Sequence, residues 1–270
     1  MNKKLLSAPF VFWSALFILV PLGMVFYYGL TDKSGAFTLE NVLAISSPEH
    51  IKALWEAVKL SVLSTVICLL LAYPLAMILC TLGNGKTSLM VLIFILPMWM
   101  NFLLRTFAWL TLLEKTGVIN SILKFLHLPT LDIINTPAAI VLGMVYNFLP
   151  FMVLPIYNVL VKIDKNVINA ARDLGANSLQ TFTKITLPLS IPGIISGITM
   201  VFVPALTTFV ISTILGGSKI LLIGNVIEQE FTQTGNWNLG SGLSIVLMLF
   251  IIFNMVISAV TDKDGEAQKL

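Results

Sequence analysis

Apolar positions arrive along this chain in long uninterrupted runs, separated by short polar stretches. Runs of about 18 or more apolar residues predict helices that cross a bilayer. The first extends from Leu5 to Thr31 without a charge, behind Lys3 and Lys4. It is longer than the apolar core of a signal peptide, and no small-x-small cleavage pattern follows it, so it reads as a retained span. The second is roughly Leu60 to Leu82, and the third roughly Thr87 to Leu104, with an extension past Arg105 to Leu113. The fourth is roughly Ala138 to Val161. The fifth lies within the charge-free run Ile185 to Ser218, and the sixth is roughly Leu239 to Thr261. No remaining loop is long enough for a domain of ordinary size, so residues 1–270 form one all-α transmembrane domain of six spans.

Polar and special residues modulate this pattern. Between Asp32 and Lys59, Leu54, Ala57, Val58 and Ser61 recur at helical spacing beside Lys52, Glu56 and Lys59. This fits either an amphipathic helix on the outer surface or an N-terminal extension of the second span. Pro74, Pro97, Pro150, Pro155, Pro192 and Pro204 fall inside spans, where each removes a backbone donor and bends its helix. Bent helices around a cavity suit a transporter better than a passive anchor. Gly193 and Gly197 form a G-x-x-x-G pair in the fifth span, which lets a second helix approach closely.

Composition agrees with the pattern. The chain is 57% hydrophobic and 11% charged, with a mean hydropathy of +0.95. Soluble domains carry about 25% charged residues, so this chain cannot cover a water-facing surface. Placing the N-terminus inside puts Lys3, Lys4, Lys86, Lys162, Lys165, Arg172, Lys184, Lys263 and Lys269 on short inner segments. The longer outer segments hold the other Lys and Arg, so the density of positive charge places both termini in the cytoplasm. Cys68 and Cys80 share one helical run, too far apart for a disulfide. His50 and His127 stand singly between apolar runs and read as solvated loop residues. No residue cluster suggests a metal or a catalytic centre.

Two inner segments look like sites. Gly83-Asn84-Gly85-Lys86-Thr87 resembles the end of a phosphate-binding loop. The position five residues before Gly85 is Cys80, where the full pattern needs glycine, and no strand precedes it. It reads as a turn, so any ATP that powers transport is hydrolysed on another chain. The longer inner segment, about 162–188, runs from Asn166 to Pro188 with helical spacing of Ile168, Ala171 and Leu174, continued by Leu179, Phe182 and Ile185. Ala170 and Ala171 would let another surface pack close, Gly175 permits a sharp reversal, and Pro188 suits the first turn of the fifth span. The reading is a short helix–turn–helix across the inner mouth.

That segment resembles the cytoplasmic E-A-A-x3-G-x9-I-x-L-P motif of ABC importer permeases. Ala170, Ala171, Gly175, Ile185, Leu187 and Pro188 match it in spacing, while Asn169 stands where the family has glutamate. The resemblance implies a type I, MetI-like permease fold in which this loop is a coupling helix seated in a groove of a cytoplasmic ATPase. Asn169, Ala170, Ala171, Arg172, Asp173, Gly175, Ile185, Leu187 and Pro188 would then be the ATPase-coupling residues. It also implies a non-catalytic subunit of a bacterial cell membrane, working by alternating access. Its partners would be a second, homologous permease, an ATPase dimer that holds ATP and Mg, and an extracellular or periplasmic solute-binding protein. No cofactor is implied on this chain.

Over nearly its whole length the chain is similar to permeases of the spermidine/putrescine (PotB-type) family. The similar stretches include 149–155, 171–176, Gly216-Gly217-Ser218-Lys219 and 222–227. The cargo this implies is a polyamine, and polycations need carboxylates or aromatic faces along their path. Trp99, Asn101, Tyr146, Asn147, Thr208, Ser212 and Glu228 are the candidate path residues. Trp109, Phe148, Trp237, Glu114 and Glu230 are further aromatic or acidic positions towards the outside. Arg105 would repel a cation, so it is expected to snorkel to the interface or pair with an acid. The alternative cargoes in the same class are an oxyanion, ferric iron, thiamine or an opine-like solute. A membrane enzyme or scaffold is the rival of another class.

Overall fold

The computed structural model describes residues 3–81, 96–217 and 219–267. Five helices among them are long and apolar enough to cross a bilayer. These are α1 (Pro9–Gly29), α2 (Pro48–Thr81), α5 (Pro137–Leu160), α7 (Ser178–Thr207) and α10 (Trp237–Ala267). Shorter helices lie between them: α3 (Phe102–Leu113), α4 (Val118–Phe125), α6 (Lys165–Asp173), α8 (Val210–Leu215) and α9 (Ile223–Thr232). Most of the expected third span and the Gly83–Thr87 turn lie outside the described residues.

Helix α2 settles how the outer segment joins the second span. It is 34 residues long without a break, which is about 51 Å against a hydrocarbon core of about 30 Å. Its first turns therefore extend the span, and residues 52–61 form no separate surface helix. The cause is visible in the sequence, because no glycine or proline interrupts residues 49–73. Ala57 and Ser61 are buried and Leu54 and Val58 half-buried, so the periodic face meets protein. His50 is not a free loop residue either. It lies in the first turn of α2, and its Nδ1 donates to the Ala44 carbonyl at 2.6 Å. His127 is exposed in a turn, with φ of 55°. On the outer turn, Asp32 accepts from the Ser34 hydroxyl and from the backbone of Ala36 and Ser34, which holds its carboxyl below the usual range.

The core lies where α2, α5 and α7 meet. Cys68, Ala72 and Ala76 from α2 are fully buried, as are Ile140, Met144 and Ile156 from α5 and Val201, Ala205 and Leu206 from α7. Cys68 and Cys80 are both free thiols. In lipid no hydrophobic drive separates helix from solvent, so close packing must supply the association. Gly193 and Gly197 provide it. A Cβ on Gly193 would sit 2.9 Å from the Pro155 carbonyl oxygen, and one on Gly197 would sit 2.7 Å from Met152 Sδ. The G-x-x-x-G pair is thus the seam between α7 and α5. Helix α1 contrasts with this: its most apolar window has no buried residue, and its C-terminal part packs on α10.

Two local features shape α7. It begins at Ser178, ahead of the charge-free run, and passes through a π-helical turn at Phe182–Thr186. Pro188 therefore lies well inside a continuous helix rather than at its first turn. The π turn accommodates it, because proline leaves a carbonyl one turn earlier without its α-helical donor. At the other end Thr208 turns extended, with ψ of 135°, and α8 restarts two residues later. The expected fifth span is thus a helix, a break and a short second helix. Gly224 at the start of α9 packs on that break, where a Cβ would lie 2.7 Å from the Thr207 carbonyl oxygen.

The α5–α7 seam yields a direct expectation. Gly193→Val should destabilise the helix pair by about 1–3 kcal/mol, because backbone rather than a flexible side chain opposes the new atoms. Gly23→Val should be close to neutral, since nothing lies within 4 Å of a Cβ there. Thermal melting of the detergent-solubilised protein checks both, and equal melting of the two variants would refute the seam.

Candidate functional site

The loop between α5 and α7 is built from local signals. Asp164 caps α6, its carboxylate accepting from the Asn166 amide at 2.9 Å. The helix ends at Asp173, and Gly175 follows in the left-handed region with φ of 86°. The Gly175 amide donates to Arg172 O at 2.9 Å, and the Ala176 amide to Ala171 O at 3.0 Å. This pair of bonds is the Schellman closure, and its left-handed residue is normally glycine. The chain then restarts at Asn177, which caps α7 through a reciprocal pair with Gln180 at 2.8 and 3.0 Å. Asp164, Asn177 and Gln180 did not enter the sequence reading. The signal was there, as Asp two residues before a helical amide and Asn-x-x-Gln at a helix start.

This reversal redistributes the loop's faces. Ile168 is half-buried and Ala171 buried, as the spacing predicts. Leu174 is 90% exposed and Leu179 70% exposed, so they leave that face. The left-handed turn at Gly175 breaks the helical phase between them. Ala171 is buried by its own chain, so its small side chain serves the loop's own packing. Ala170 is the alanine that faces outward, along with Asn169, Arg172, Asp173 and Gly175. Arg172 and Asp173 form no ion pair among the described residues. Ile185 and Leu187 are half-buried at the base of α7, and Pro188 is exposed. The loop thus presents a small alanine, two bare leucines, a free cation and a free carboxylate. A groove with apolar floor and polar rim would complement it.

The candidate path residues do not converge on one cluster. Trp99 is 75% exposed. Asn101 caps α3, accepting from the Leu103 and Leu104 amides. Tyr146 meets Trp109 edge-on at 5.3 Å beside an apolar cleft of about 660 Å³ between α2, α3 and α5. Asn147 is buried; its amide nitrogen donates to Gly143 O at 2.9 Å, and its Oδ1 has no partner among the described residues. Thr208 is the break after α7. Ser212 is fully buried and donates to Asn225 Oδ1 at 2.6 Å, while Asn225 also binds Leu222 N, Thr213 Oγ1 and Phe209 O. That network ties α8 to α9, so Ser212 is a structural residue. Glu228 accepts from Thr232 Oγ1 at 2.9 Å and lines a cleft of about 560 Å³ with Thr207, Phe209 and Phe231.

Arg105 departs from expectation. It neither reaches solvent nor pairs with an acid among the described residues. It is 8% exposed, its Nε has no partner, and its guanidinium lies 5.9 Å from the Phe102 ring centre. The face of that ring offsets part of the cost of burying the charge.

Residues 3–263 match the family of binding-protein-dependent transport system inner membrane components. A spermidine/putrescine transport system permease protein PotB of Haemophilus influenzae is 36% identical over 263 residues, covering 93% of this chain and 92% of the relative. The PotB of Escherichia coli K12 is 37% identical over 245 residues, covering 88% and 89%. Among solved structures, a bacterial ABC transporter involved in importing the acidic polysaccharide alginate has a chain of the same fold. It superposes with a TM-score of 0.78 at 19% identity, covering 96% of each chain.

The loop reversal is testable by itself. Gly175→Val should cost about 1–2 kcal/mol from the left-handed backbone alone, since a Cβ at Gly175 meets nothing within 4 Å. Gly175→Asn should retain most of the turn, because asparagine visits that region. Amide hydrogen exchange across residues 165–176 reads the difference, and equal protection in both variants would show that the turn does not need its glycine.

Proposed function

The chain belongs to the family of binding-protein-dependent transport system inner membrane components, and on that footing we propose that it is one of two membrane subunits of an ATP-driven importer of polyamines. A permease of this family is a multi-pass inner membrane protein of bacteria with no catalysis of its own, and it works with an ATPase and a solute-binding protein. The observation that carries the cargo is the 36% identity, over 93% of the chain, to a permease of a spermidine/putrescine transport system.

In this reading the bundle has six spans, and both termini lie in the cytoplasm. A second, non-identical permease packs beside it, and two ATPase subunits sit below. Ala170, Gly175, Leu174 and Leu179 form the apolar part of the docking surface, and Arg172 and Asp173 its rim. Asn169 offers the ATPase an amide where relatives of this motif offer a carboxylate. ATP and Mg are held by the ATPase. When its two subunits close, the loop and α7 move as a rigid body, and the cavity changes from inward to outward access. Glu228, with Phe209 and Phe231 beside it, supplies a carboxylate and ring faces of the kind an alkylammonium needs.

One observation favours a second reading, in which the cargo is an anion. Arg105 is a buried cation without an acidic partner among the described residues. Uptake of labelled spermidine, in a strain lacking this chain and any redundant system, separates the two. Restoring the chain should restore uptake, and excess putrescine should compete while phosphate should not. Uptake unchanged by deletion would remove the polyamine assignment.

The docking surface has its own check. Ala170→Trp should still insert into the membrane but should lose the ATPase on co-purification and reduce uptake at least tenfold, the scale of one lost interface anchor. Normal ATPase recovery with Ala170→Trp would show that this face is not the contact.

A further inference from the structure

Tyr73 on α2 and Ser190 on α7 are both buried, and their oxygens lie 2.8 Å apart. Ser190 Oγ also lies 2.8 Å from the Leu187 carbonyl oxygen. A hydroxyl has one proton, and Leu187 O can only accept, so Ser190 donates there and Tyr73 donates to Ser190. The ring of Tyr73 meets Phe182 edge-on, with centres 5.6 Å apart and planes at 82°. Phe182 opens the π-helical turn Phe182–Thr186, which directly follows the inner loop, and Ser190 lies beyond that turn. One side chain of α2 therefore grips α7 on both sides of its π turn.

The π turn matters because it is the deformable part of α7. It carries one residue more than an α-helical turn and stands just before Pro188, whose missing N–H removes a helical bond there. A push on the loop can be absorbed at this turn unless something bridges it. Tyr73 bridges it, by ring contact on the loop side and by hydrogen bond on the span side. Both side chains are buried, so breaking the bond leaves the Tyr73 hydroxyl without its partner while Ser190 keeps its bond to Leu187 O. Tyr73 also adjoins Pro74, the one proline inside α2, so a displacement passed to Tyr73 arrives at the weakest point of that helix.

The geometry points to Tyr73 as the positioning residue that passes movement of the coupling loop to α2. This rests on the reading of the loop as the ATPase contact. Without Tyr73 the loop still docks and ATP is still hydrolysed, but the π turn yields and less of the stroke reaches the spans.

The test uses the complete importer in proteoliposomes, with Tyr73→Phe, Ser190→Ala and the double variant. The readout is spermidine taken up per ATP hydrolysed. Each single variant should lower that ratio about threefold or more, the scale of one buried hydrogen bond. The double variant should fall no further, because both singles break the same bond. A merely structural role would lower yield, or uptake and hydrolysis together, and leave the ratio unchanged; that result overturns the proposal. Should Tyr73→Phe fail to assemble, Ser190→Ala, which keeps the ring, decides by the same ratio. A wild-type importer that takes up no polyamine defeats the cargo reading alone. The link is then judged by how far the binding protein stimulates ATP hydrolysis, which both singles should reduce by a similar factor and which an idle Tyr73 would leave untouched.

Discussion

Lipid offers the backbone no hydrogen-bonding partner, so each spanning segment must close its own ladder of bonds as a helix. Every further feature of this chain is an answer to that constraint. Helices that are already satisfied gain little by touching one another in hydrocarbon, so they associate only where backbones come close. Gly193 and Gly197 remove side chains from one face of α7 and let α5 lie against it. Helix α2 closes the group with a face of small residues, Ala57, Ser61, Ser64, Cys68, Ala72 and Ala76. The three make a rigid centre, while α1 leans on α10 at the edge.

The same constraint explains where polar side chains go. Ser61, Thr65, Thr106, Asn147, Thr199 and Thr207 return their donors to carbonyls one turn earlier on their own helices. Such residues look like path candidates in a sequence, but their donors are satisfied locally. Those that reach across helices are fewer and more informative. Asn225 holds α8 to α9 where α7 has broken, and Tyr73 holds α2 to the base of α7. Arg105 and Asn147 keep an unpaired atom each, and these stand out among the described residues, whose other buried side-chain polar atoms are paired.

The inner loop follows a different logic because it meets water. Its two helical pieces are capped by Asp164 and Asn177 and separated by a left-handed glycine. Capped ends with exposed leucines near the turn make a compact projection from the bundle. It joins the spans through α7, whose first half contains both the π turn and the glycine seam. The loop's second helical piece and the seam are therefore parts of one continuous helix.

The sequence by itself determined most of the spans, the prolines within them, the close-packing glycines and the spacing of the loop motif. These are properties of single segments, set by length, hydropathy and local backbone preference, and they survive whatever the neighbours are. It also determined that Gly175 turns the chain, because few other residues adopt that conformation cheaply. What only the tertiary structure decided depends on neighbours. Ala171 is buried while Leu174, at the end of the same helix, is exposed. Ser212 belongs to a buried network because Asn225 lies opposite it. The outer amphipathic stretch continues α2, and α7 breaks at Thr208, where Gly224 leaves room for the carbonyls. In each case the residue type was legible, but its partner came from a distant part of the chain, and periodicity along one helix carries no information about that partner.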